Sequence, residues 1–499
     1  MPDWLYDIGV GILAACVLAG SVPLLAGLWQ YALIGFHGVR NHLPMAEDFT
    51  PRTAVVVPAW NEAAVIGGTI DRLTSLNYPV DCLRVYVVDD ASDDGTPEIV
   101  QAKAAEYPGQ VFHLRREDGG QGKAHTLNHG LSLILSDEWA EAVLIIDADV
   151  IFERDALRRM TRHLADPEVG AVTAYIKEGS HPANYLKRFI GFEYVTAQAA
   201  ARRSQNVIGA MACLAGGAQL HSRKSLEEIG GQIDVDTLAE DTITTLLTQL
   251  NGRRAIFEGN AVVWAEEPGD VNGLWKQRLR WARGNVQVNR RFRGIWFRRR
   301  KYGRLGGFSF GLFWYATFLM PAFMITSSIS LVCLYLIDYG YSLEIFRALW
   351  MINVFTYVVV TAFSMLVDPA TARKSWRQAI FFPGFISLLI IIGTCFPPVF
   401  ESFVPDLASH LGITLGDTAA RVALLFAYVW LTLSMVVAWL GKLLESTWLK
   451  FLTPLFVYAA GFGSLLSAIT FASWVKEARG AESKWEKTEK TGQVALGEG

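Results

Sequence analysis

Two aspartates stand two positions apart at the end of an apolar run, in the stretch AVLIIDADV over residues 142–150. The run is continuous and rich in branched side chains, which is typical of a β-strand buried on both faces. Two carboxylates at the end of such a strand can bind Mg²⁺ or Mn²⁺, with water and the phosphate oxygens of a substrate as further ligands. Asp147 and Asp149 are therefore candidate metal ligands, and the alternative is that they only cap a turn.

A second acidic pair, Glu240 and Asp241, comes directly before a stretch with helical apolar spacing in TLAEDTITTLL, residues 237–247. Acidic residues are common in this position because they cap the helix and interact favourably with its dipole. A carboxylate there can equally act as a general base beside a reacting hydroxyl. The stretch taken alone does not decide between the two roles.

The glycine-rich stretch GGQGKAHTLNHG, residues 119–130, lacks the spacing of the ATP-type phosphate loop, because Ala124 stands where Ser or Thr is needed. Lys123 precedes a predicted helix, so it is either a contact to phosphate or ribose or an ordinary solvated lysine. His125 and His129 share a helical face, but no third ligand accompanies them. We therefore interpret both histidines as surface or core residues rather than metal ligands.

The stretch GLWKQRLRWARGN begins at Gly273, inside a window from Val271 to Ile337 that contains no Asp or Glu. Its residues Gln277, Arg280 and Trp281 have the spacing of one helical face. A positive flank that orients the next membrane helix would explain the arginines. It would not explain why Gln, Arg and Trp share a face.

Three apolar runs predict the strands that position these residues: TAVVVPAW (53–60), LRVYVVDD (83–90) and AVLIIDADV (142–150). Helices are predicted from Glu62 to about Leu76 and from about Pro97. Strands that alternate with helices form parallel βαβ units. Ligands of such sheets bind at the carboxyl ends of the strands, where Asp89 and Asp90 also lie.

The composition is that of a membrane protein, since 52% of the 499 residues are hydrophobic and the mean hydropathy is positive. The formal net charge of −3 gives no general case for a nucleic-acid partner. The five cysteines are scattered without a CxxC pair, which predicts small buried side chains and neither a disulfide framework nor structural zinc: Cys16, Cys82, Cys213, Cys333 and Cys395.

Apolar runs divide the chain into four regions. Residues 1–44 contain an apolar segment from about Ile8 to Ile34, predicted as an N-terminal transmembrane helix rather than a cleaved signal peptide. Residues 45–305 are the predicted α/β domain, with interfacial helices near 272–304, and residues 476–499 are a polar tail. Residues 306–475 contain about five further spans, near 308–337, 345–367, 379–399, 419–440 and 452–475.

Loop charges predict how these spans are oriented. Basic residues flank the α/β domain and cluster again near residues 371–378 and 442–450, whereas residues 401–417 are acidic. The positive-inside rule then places the α/β domain in the cytosol, at a plasma (inner) membrane that the chain crosses several times. Prolines inside or at the ends of the spans predict kinks or breaks: Pro321, Pro383, Pro397 and Pro398.

Taken in order, VVVPAWNE, VVDDASDDGT, IIDADV, LAEDT and QRLRW resemble the motifs of the membrane-integrated processive glycosyltransferases of family 2. These include the cellulose, hyaluronan, chitin-oligosaccharide and poly-N-acetylglucosamine synthases. The motifs extend over about residues 50–285, and the flanking spans extend the resemblance over most of the chain. The resemblance implies an α/β, GT-A-like cytosolic domain with a nucleotide-binding parallel sheet, inserted between transmembrane α-helices.

The resemblance also implies which residues bind the donor. It assigns four of them to the nucleotide, with the acids on uridine and ribose and the lysine in the same pocket: Glu62, Asp89, Asp90 and Lys123. Asp147 and Asp149 resemble the D-x-D motif that holds the divalent metal, Mg²⁺ or Mn²⁺, together with the diphosphate.

The remaining motifs resemble those of the acceptor side. Asp241 matches the general base of the family, and Glu240 is its usual companion. Gln277, Arg280 and Trp281 match the motif that closes over the diphosphate and supports the acceptor sugar through the indole, at the mouth of a transmembrane channel. CLAGGAQLHSR, from Cys213 onward, resembles the acceptor-binding segment only loosely, so the resemblance does not identify the acceptor.

The expected activity is processive, inverting transfer from a UDP-sugar, with UDP-N-acetylglucosamine ahead of UDP-glucose, to a growing β-linked polysaccharide exported through the chain's own channel. The expected partners are the donor, the polymer and the lipid bilayer, with room for accessory export subunits and no nucleic acid. Two alternatives are a non-processive family 2 transferase that glycosylates a membrane lipid, and a transporter with a nucleotide-binding regulator. Spans nearly free of charged residues disfavour the transporter.

Overall fold

The computed structural model of the protein describes residues 3–39, 46–398, 410, 417–482 and 494. The chain divides into two compact units. The first, which we call the helical unit, contains Met1–Tyr31, Asp270–Ala282 and Leu312–Gly480. The second, the sheet unit, contains Ala32–Gly269, Arg283–Gly311 and Ala481–Gly499.

One eight-stranded sheet is the centre of the sheet unit. Its strands are β1 (Thr53–Ala59), β2 (Leu83–Asp89), β3 (Val111–Arg115), β4 (Ala142–Ile146), β5 (Ile151–Phe152), β6 (Val169–Glu178), β7 (Ala218–Ser222) and β8 (Arg254–Ala265). They lie in the order β3-β2-β1-β4-β7-β6-β8-β5. The three predicted strands are β1, β2 and β4, and β1 pairs in parallel with both of the others, which confirms the expected βαβ arrangement.

The other half of the sheet is mixed, which corrects the expectation of a parallel sheet. β7 runs antiparallel to β4 and β6, whereas β6 and β8 are parallel. Between β6 and β7 the chain forms three consecutive helical segments instead of one crossover helix, and it returns to the sheet at the end where β6 finishes: Tyr185–Tyr194, Val195–Ala200 and Ala201–Ile208. This return explains the reversed direction of β7.

The other helices of the sheet unit connect neighbouring strands or follow β7 and β8. The α-helices are Ile66–Thr74, Thr96–Glu106, Lys123–Ser136, Ala156–Thr161, Arg223–Glu228, Glu240–Leu250 and Arg299–Tyr302, and short 3-10 turns are formed by Val80–Cys82 and Arg162–Ala165. Three helices continue from one unit into the other: Val22–Val39, Val271–Arg291 and Phe308–Phe318.

The first helix after β1 begins at Ile66, four residues later than the prediction from Glu62, and ends at Thr74. The backbone N–H of Glu62 donates to Thr96 Oγ1 over 2.8 Å, and that of Ala63 donates to Asp94 Oδ2 over 3.1 Å. Because side chains of the loop after β2 already satisfy these donors, the chain after β1 remains a loop. Sequence periodicity does not report such long-range hydrogen bonds.

The helix Lys123–Ser136 packs on β1, β2 and β4 through a cluster of buried apolar side chains, among them Val56, Val88, Leu127, Leu131 and Ile145. Gly130 faces this sheet so closely that a Cβ atom there would lie 2.7 Å from Val88 Cγ2 and 3.2 Å from Val56 Cγ1. The missing side chain lets the helix approach the strands. This approach determines where the first residue of the helix, Lys123, stands above the sheet edge.

Helices, most of them apolar, make up the helical unit together with part of Val271–Arg291: Asp3–Ala19, Met320–Ile337, Tyr339–Val367, Pro369–Ile380, Phe385–Cys395, Asp417–Leu444, Thr453–Ala460 and Phe462–Ala478. Within the described residues, three helices are long and apolar enough to cross a membrane. Three further pairs would qualify if each bent pair is one span, which raises the number to six. The number predicted from apolar runs is also six.

Several predicted spans are divided in the structure. The apolar segment near 8–34 forms two helices bent by 43°, and the segment near 308–337 forms Phe308–Phe318 and Met320–Ile337. Pro321 lies directly after this break, as predicted, in the first turn of the second helix, where its missing N–H leaves no bond unmade. Pro397 and Pro398 follow the helix that ends at Cys395, and the acidic residues 401–417 lie almost wholly outside the described residues.

Two of the helix breaks contact each other. Pro383 lies at the first break, as predicted, beside Gly384, and Gly461 forms the second. Both glycines have positive φ, +91° and +92°, and a Cβ at Gly384 would lie 2.6 Å from the Gly461 nitrogen. Only glycine fits two backbones that approach this closely in this conformation.

We expect Gly130→Ala to destabilise the sheet unit by about 1–3 kcal/mol, because the added methyl group overpacks the contact with Val56 and Val88. Thermal unfolding of the purified full chain measures the loss as a lower Tm. Gly68→Ala is the matched control: it also lies in a helix, but a Cβ there meets nothing within 4 Å. A Tm for Gly130→Ala that equals the control would contradict the close packing.

Candidate active site

The D-x-D motif forms a tight turn directly after β4. The backbone N–H of Val150 donates to the Asp147 carbonyl over 3.2 Å, and Thr69 Oγ1 donates to the Ala148 carbonyl over 2.6 Å. Ala148 is buried, whereas the carboxylates of Asp147 and Asp149 are only partly buried. The turn is thus anchored by the residue between the two acids, and both carboxylates remain accessible to a ligand.

Lys123, the first residue of its helix, connects the D-x-D turn to the second acidic pair. Its ammonium group forms an ion pair with Asp147 Oδ1, lies 4.0 Å from Glu240 Oε1 and donates to the Gly216 carbonyl over 3.3 Å. Burial by itself would lower the pKa of Lys123, but the carboxylates of Asp147, Glu240 and Asp241 outweigh burial and raise it. Lys123 is therefore a charged, largely buried residue rather than the solvated lysine of the alternative interpretation.

The second acidic pair opens the helix Glu240–Leu250 without capping it. The N-cap residue is Ala239, and Glu240 and Asp241 occupy the first turn, where the helix dipole favours negative charge. Asp241 Oδ1 accepts the N–H of Thr242 over 2.7 Å, which leaves its second carboxylate oxygen for other contacts. The N-cap interpretation of the pair is therefore wrong, although the dipole interaction remains.

Two consecutive glycines lie between the D-x-D turn and the acidic pair. A Cβ at Gly216 would lie 3.2 Å from Asp241 Oδ2 and 3.6 Å from Lys123 Nζ, and a Cβ at Gly217 would lie 3.3 Å from Asp147 Oδ2. Any side chain here would enter the space between the carboxylates. Neither glycine was predicted as a site residue, although both lie in CLAGGAQLHSR, which loosely resembles an acceptor-binding segment.

Asp89 and Asp90 are buried at the end of β2, and each has an arginine partner. Asp89 Oδ2 accepts Arg115 Nη1 over 2.9 Å, because the parallel register of β2 and β3 sets these two residues side by side. Asp90 forms an ion pair with Arg116, and its Oδ2 accepts the Gly120 N–H over 2.9 Å. The two arginines were not predicted, since only strand register shows which cation meets which acid.

Glu62 lies in the loop after β1, beside the loop that follows β2. Asn61 donates its backbone N–H to Ser92 Oγ over 2.9 Å and its amide Nδ2 to Asp93 Oδ1 over 2.7 Å. The Asp90 N–H bonds to the Ala59 carbonyl over 2.8 Å. These contacts join the loops that carry Glu62 and Asp90 at the carboxyl edge of the sheet.

Arg202 and Cys213 lie near Asp241, and neither was predicted as a site residue. Burial raises the pKa of the Cys213 thiol, and the neighbouring Asp241 carboxylate raises it further. Burial lowers the pKa of the Arg202 guanidinium, which Asp241 and Cys213 partly offset. All five cysteines are free, and each is partly exposed rather than fully buried as predicted.

Gln277, Arg280 and Trp281 lie on the helix Val271–Arg291, as their spacing predicted, in the part that belongs to the helical unit. Arg278 donates to Gln277 Oε1 over 2.6 Å, and its guanidinium lies 4.0 Å from the centre of the Trp281 ring. Trp281 is 37% exposed. The motif is thus braced by an arginine that the family pattern does not include.

The last turns of the same helix belong to the sheet unit, and they contact the three residues that precede Glu240. Gln287 Oε1 accepts the N–H of Leu238 over 2.9 Å and the hydroxyl of Thr237 over 3.1 Å. A Cβ at Gly284 would lie 2.7 Å from Ala239 Cβ, so the helix touches the residue before Glu240. Gln287 and Gly284 therefore hold the turn from which the acidic pair projects.

Residues 51–284 match the family model described as glycosyltransferase like family 2. This stretch belongs to glycosyltransferase family 2. The resemblance to family 2 is thereby confirmed for these residues, which form a glycosyltransferase domain. The matched stretch begins just before β1 and ends within the helix Val271–Arg291, so it contains every candidate site residue.

Curated relatives of this glycosyltransferase domain are named for different products. A β-monoglucosyldiacylglycerol synthase of Synechocystis is 32% identical over 48% of this chain and 48% of its own length. A poly-β-1,6-N-acetyl-D-glucosamine synthase of Staphylococcus aureus is 30% identical over 47% of this chain and 54% of its own. A probable glycosyltransferase of Bacillus subtilis is 28% identical over 65% and 76%. The chain thus matches about half the length of the first and second of these relatives.

Among solved structures, a mannosyltransferase from Pyrobaculum calidifontis, in complex with GDP-Man and Mn²⁺, aligns with a TM-score of 0.52. It is 24% identical, and the alignment covers 73% of this chain and 99% of that protein. At this identity the likeness concerns the fold alone. It confirms the GT-A-like fold that the motifs implied.

Asp147 and Asp149 suit a divalent cation only if a bound substrate supplies further ligands. In the part of the chain that the structure describes, no group of three or more His, Cys, Asp or Glu side chains is arranged to hold a metal ion. Two accessible carboxylates match the needs of Mg²⁺ or Mn²⁺ when phosphate oxygens and water complete the octahedron. The donor set therefore fits a metal that binds together with a diphosphate.

We expect Lys123→Met to destabilise the folded chain by about 2 kcal/mol or more, because it leaves neighbouring carboxylates without their cation. The loss stays below the 3–5 kcal/mol of fully buried pairs, since Asp147 is 38% exposed. Lys224→Met, at an exposed lysine, should change the Tm little. Equal Tm values for the two variants would show that Lys123 does not balance these acids.

The pH dependence of this effect follows from the raised pKa of Lys123. A cation whose pKa is higher in the folded state stabilises that state fully below its ordinary value of 10.5 and loses the effect as pH rises beyond it. The Tm difference between wild type and Lys123→Met should therefore be constant from about pH 7 to about pH 9. A difference that shrinks in this range would contradict the raised pKa.

Proposed function

We propose that the chain is an inverting glycosyltransferase that moves a sugar from UDP to a growing β-linked polysaccharide. The observation that carries the proposal is the contact of Lys123 with the D-x-D turn and the Glu240–Asp241 pair, across the floor formed by Gly216 and Gly217. The D-x-D turn would form the donor half of the site and the Glu240–Asp241 pair the acceptor half. Transfer from a donor diphosphate to an acceptor hydroxyl requires these two halves to lie side by side. The membership of residues 51–284 in family 2 supplies the class of reaction.

The donor half would bind the nucleotide diphosphate. Asp89, Asp90 and Glu62 lie at the carboxyl edge of the sheet, where the loops after β1 and β2 meet, and are assigned to uridine and ribose. Lys123 is assigned to the diphosphate, whose negative charge would take up its ammonium group. Asp147 and Asp149 would hold Mg²⁺ or Mn²⁺, which neutralises charge on the leaving diphosphate when it is bound.

The acceptor half would carry out the proton transfer. Asp241 removes the proton from the acceptor hydroxyl as the hydroxyl oxygen bonds to the anomeric carbon. The bond between that carbon and the UDP oxygen breaks, and UDP leaves with the electron pair. Attack from the face opposite the leaving group inverts the carbon, so an α-linked donor gives a β-linked product. Trp281, which is 37% exposed, is assigned to the CH face of the acceptor sugar.

Export of the product is assigned to the helical unit. Its apolar helices, which number up to six spans within the described residues, are more than anchoring requires. We infer that the sheet unit faces the cytosol at the inner membrane, since basic loops flank it. UDP-N-acetylglucosamine is the first candidate donor, because the similar synthase of Staphylococcus aureus is named for a polymer of that sugar.

A second candidate is transfer to a membrane lipid. It is favoured by the relative from Synechocystis, whose name specifies a glucosyldiacylglycerol. The donor half would be the same in both cases, and only the acceptor would differ. The polymer is preferred because a lipid acceptor needs neither a conduit of several helices nor an aromatic platform for a sugar chain.

Product analysis separates the two candidates. Membranes that contain the full chain are incubated with labelled UDP-N-acetylglucosamine or UDP-glucose and Mg²⁺ or Mn²⁺, and the products are divided by organic extraction and sized. We expect a water-soluble polymer that Trp281→Ala shortens while UDP binding remains. A product that is wholly organic-soluble and carries one or two sugars would establish the lipid candidate instead.

The role of Asp241 as base predicts a selective loss in Asp241→Asn. The amide oxygen can still accept the Thr242 N–H, so fold and Tm should remain, but the proton acceptor is gone. Turnover should fall by about 10²–10⁴-fold while UDP affinity stays close to wild type. Asp149→Ala is the comparison variant, because it should weaken metal-dependent UDP binding as well as transfer. A folded Asp241→Asn enzyme with normal turnover would make Glu240 the next candidate.

A further inference from the structure

A strongly cationic loop projects from the sheet unit at residues 291–308, outside the site described above. We call it the cationic tip. Its chain reverses at Gly303, with φ +56°, and folds tightly, since a Cβ at Gly306 would lie 2.5 Å from the Arg298 carbonyl oxygen. Seven cations in this loop are exposed. Arg291 pairs with Asp234, and Arg304 packs against Gly209. The other five are Arg293, Arg298, Arg299, Arg300 and Lys301.

These five cations differ from the other surface arginines of the sheet unit. Arg158 bonds to Asp48 over 2.6 Å, and Arg253 and Arg291 form ion pairs with Glu228 and Asp234. No carboxylate of the described residues forms a salt bridge with any of the five, although the chain as a whole has more acids than bases. A cluster of uncompensated like charges lowers stability unless an anionic partner binds it.

Two phenylalanine rings stand at the same loop. Phe297 is 51% exposed and Phe308 is 69% exposed, and their ring centres lie 6.0 Å apart. Two nearby aromatic residues are buried instead, and their rings stack: Trp296 lies on Phe310 with 5.7 Å between ring centres. The loop thus has an apolar anchor within the unit and a separate apolar pair at its surface.

The backbone at Phe297 is unusual for an aromatic residue. Its φ of +59° lies in the left-handed region, which bulky side chains rarely adopt. The ring packs against Gly311, where a Cβ would lie 2.6 Å from the ring edge. The surrounding contacts therefore hold Phe297 beside Phe308. Backbone strain of this kind is concentrated at functional sites.

We propose that the cationic tip binds an anionic lipid surface, with the five cations on headgroup phosphates and the Phe297–Phe308 pair in the boundary between headgroups and acyl chains. Interfacial segments combine basic residues with exposed Phe in this way. Lipid is chosen over nucleic acid because the chain as a whole has a formal net charge of −3 and contains helices apolar enough to cross a membrane. The contact is independent of the transfer reaction and makes the sheet unit sensitive to lipid charge.

Lipid photo-crosslinking tests the proposal on the full chain. Phe308 is replaced by benzoylphenylalanine, and the chain is placed in nanodiscs with equal amounts of phosphatidylglycerol and phosphatidylcholine. After irradiation, mass spectrometry counts the adducts of each lipid. We expect phosphatidylglycerol adducts to exceed phosphatidylcholine adducts about fivefold or more at low salt, since each cation near an anionic surface contributes about that factor.

The charge dependence is measured with matched double variants. R299Q/R300Q should lower the adduct ratio severalfold, because it removes two of the five cations, whereas R154Q/K224Q, which removes two exposed cations elsewhere on the sheet unit, should leave it unchanged. Salt of about 1 M, where the Debye length is about 3 Å, should also reduce the ratio. Unchanged Tm values for both variants establish that the fold is intact.

Three results would overturn the proposal. Equal adducts of the two lipids in the wild-type background would show that charge does not select the partner. Adducts to protein with none to lipid would show that the tip is a protein interface. Loss of selectivity in R154Q/K224Q to the same degree as in R299Q/R300Q would place the lipid preference elsewhere on the chain.

Discussion

The carboxyl edge of the sheet brings several carboxylates into a small volume, and these charges must be balanced before any ligand binds. Asp89 and Asp90 are buried and are balanced by Arg115 and Arg116. Asp147, Glu240 and Asp241 share the ammonium group of Lys123. An unpaired buried charge costs several kcal/mol, so the positions of these cations constrain the loops that carry the acids. The remaining features of the site follow from this constraint.

Glycines supply the close approach that this charge balance requires. Gly130 brings the helix Lys123–Ser136 onto β1 and β2, which determines the height of Lys123 above the sheet edge. Gly216 and Gly217 keep side chains out of the space between Asp147 and Asp241. At these two positions backbone, not side chain, therefore borders the space between the carboxylates. Larger residues at any of these positions would separate the two halves of the site.

The motif residues are divided between the two units of the chain. The acids and Lys123 lie in the sheet unit, whereas Gln277, Arg280 and Trp281 lie in the part of the helix Val271–Arg291 that belongs to the helical unit. The relatives named for a glycolipid and for a polysaccharide match this chain over similar lengths. One shared domain is therefore consistent with both names. The acceptor therefore has to be identified from the product rather than from the shared domain.

Local patterns in the sequence were sufficient for the strands β1, β2 and β4, for the helix under QRLRW and for most of the apolar helices. Each depends on periodicity and apolar content, which neighbouring residues determine together. The motif residues that the family resemblance supplied were then found at one sheet edge: Asp89, Asp90, Lys123, Asp147, Glu240 and Asp241. For these residues, type and order along the chain were enough to predict that they lie together.

Only the tertiary structure decided which residues meet. The register of β2 and β3 pairs Asp89 with Arg115. Ala239 is the N-cap residue, so Glu240 and Asp241 lie in the first turn of the helix instead of capping it. The late start of the helix at Ile66, the reversed strand β7 and the exposed Phe297 depend on contacts between residues far apart in the chain. Periodicity carries no information on such contacts, because they are set by packing and hydrogen bonding across the sheet. The sequence determined the chemical groups, and the fold determined their partners.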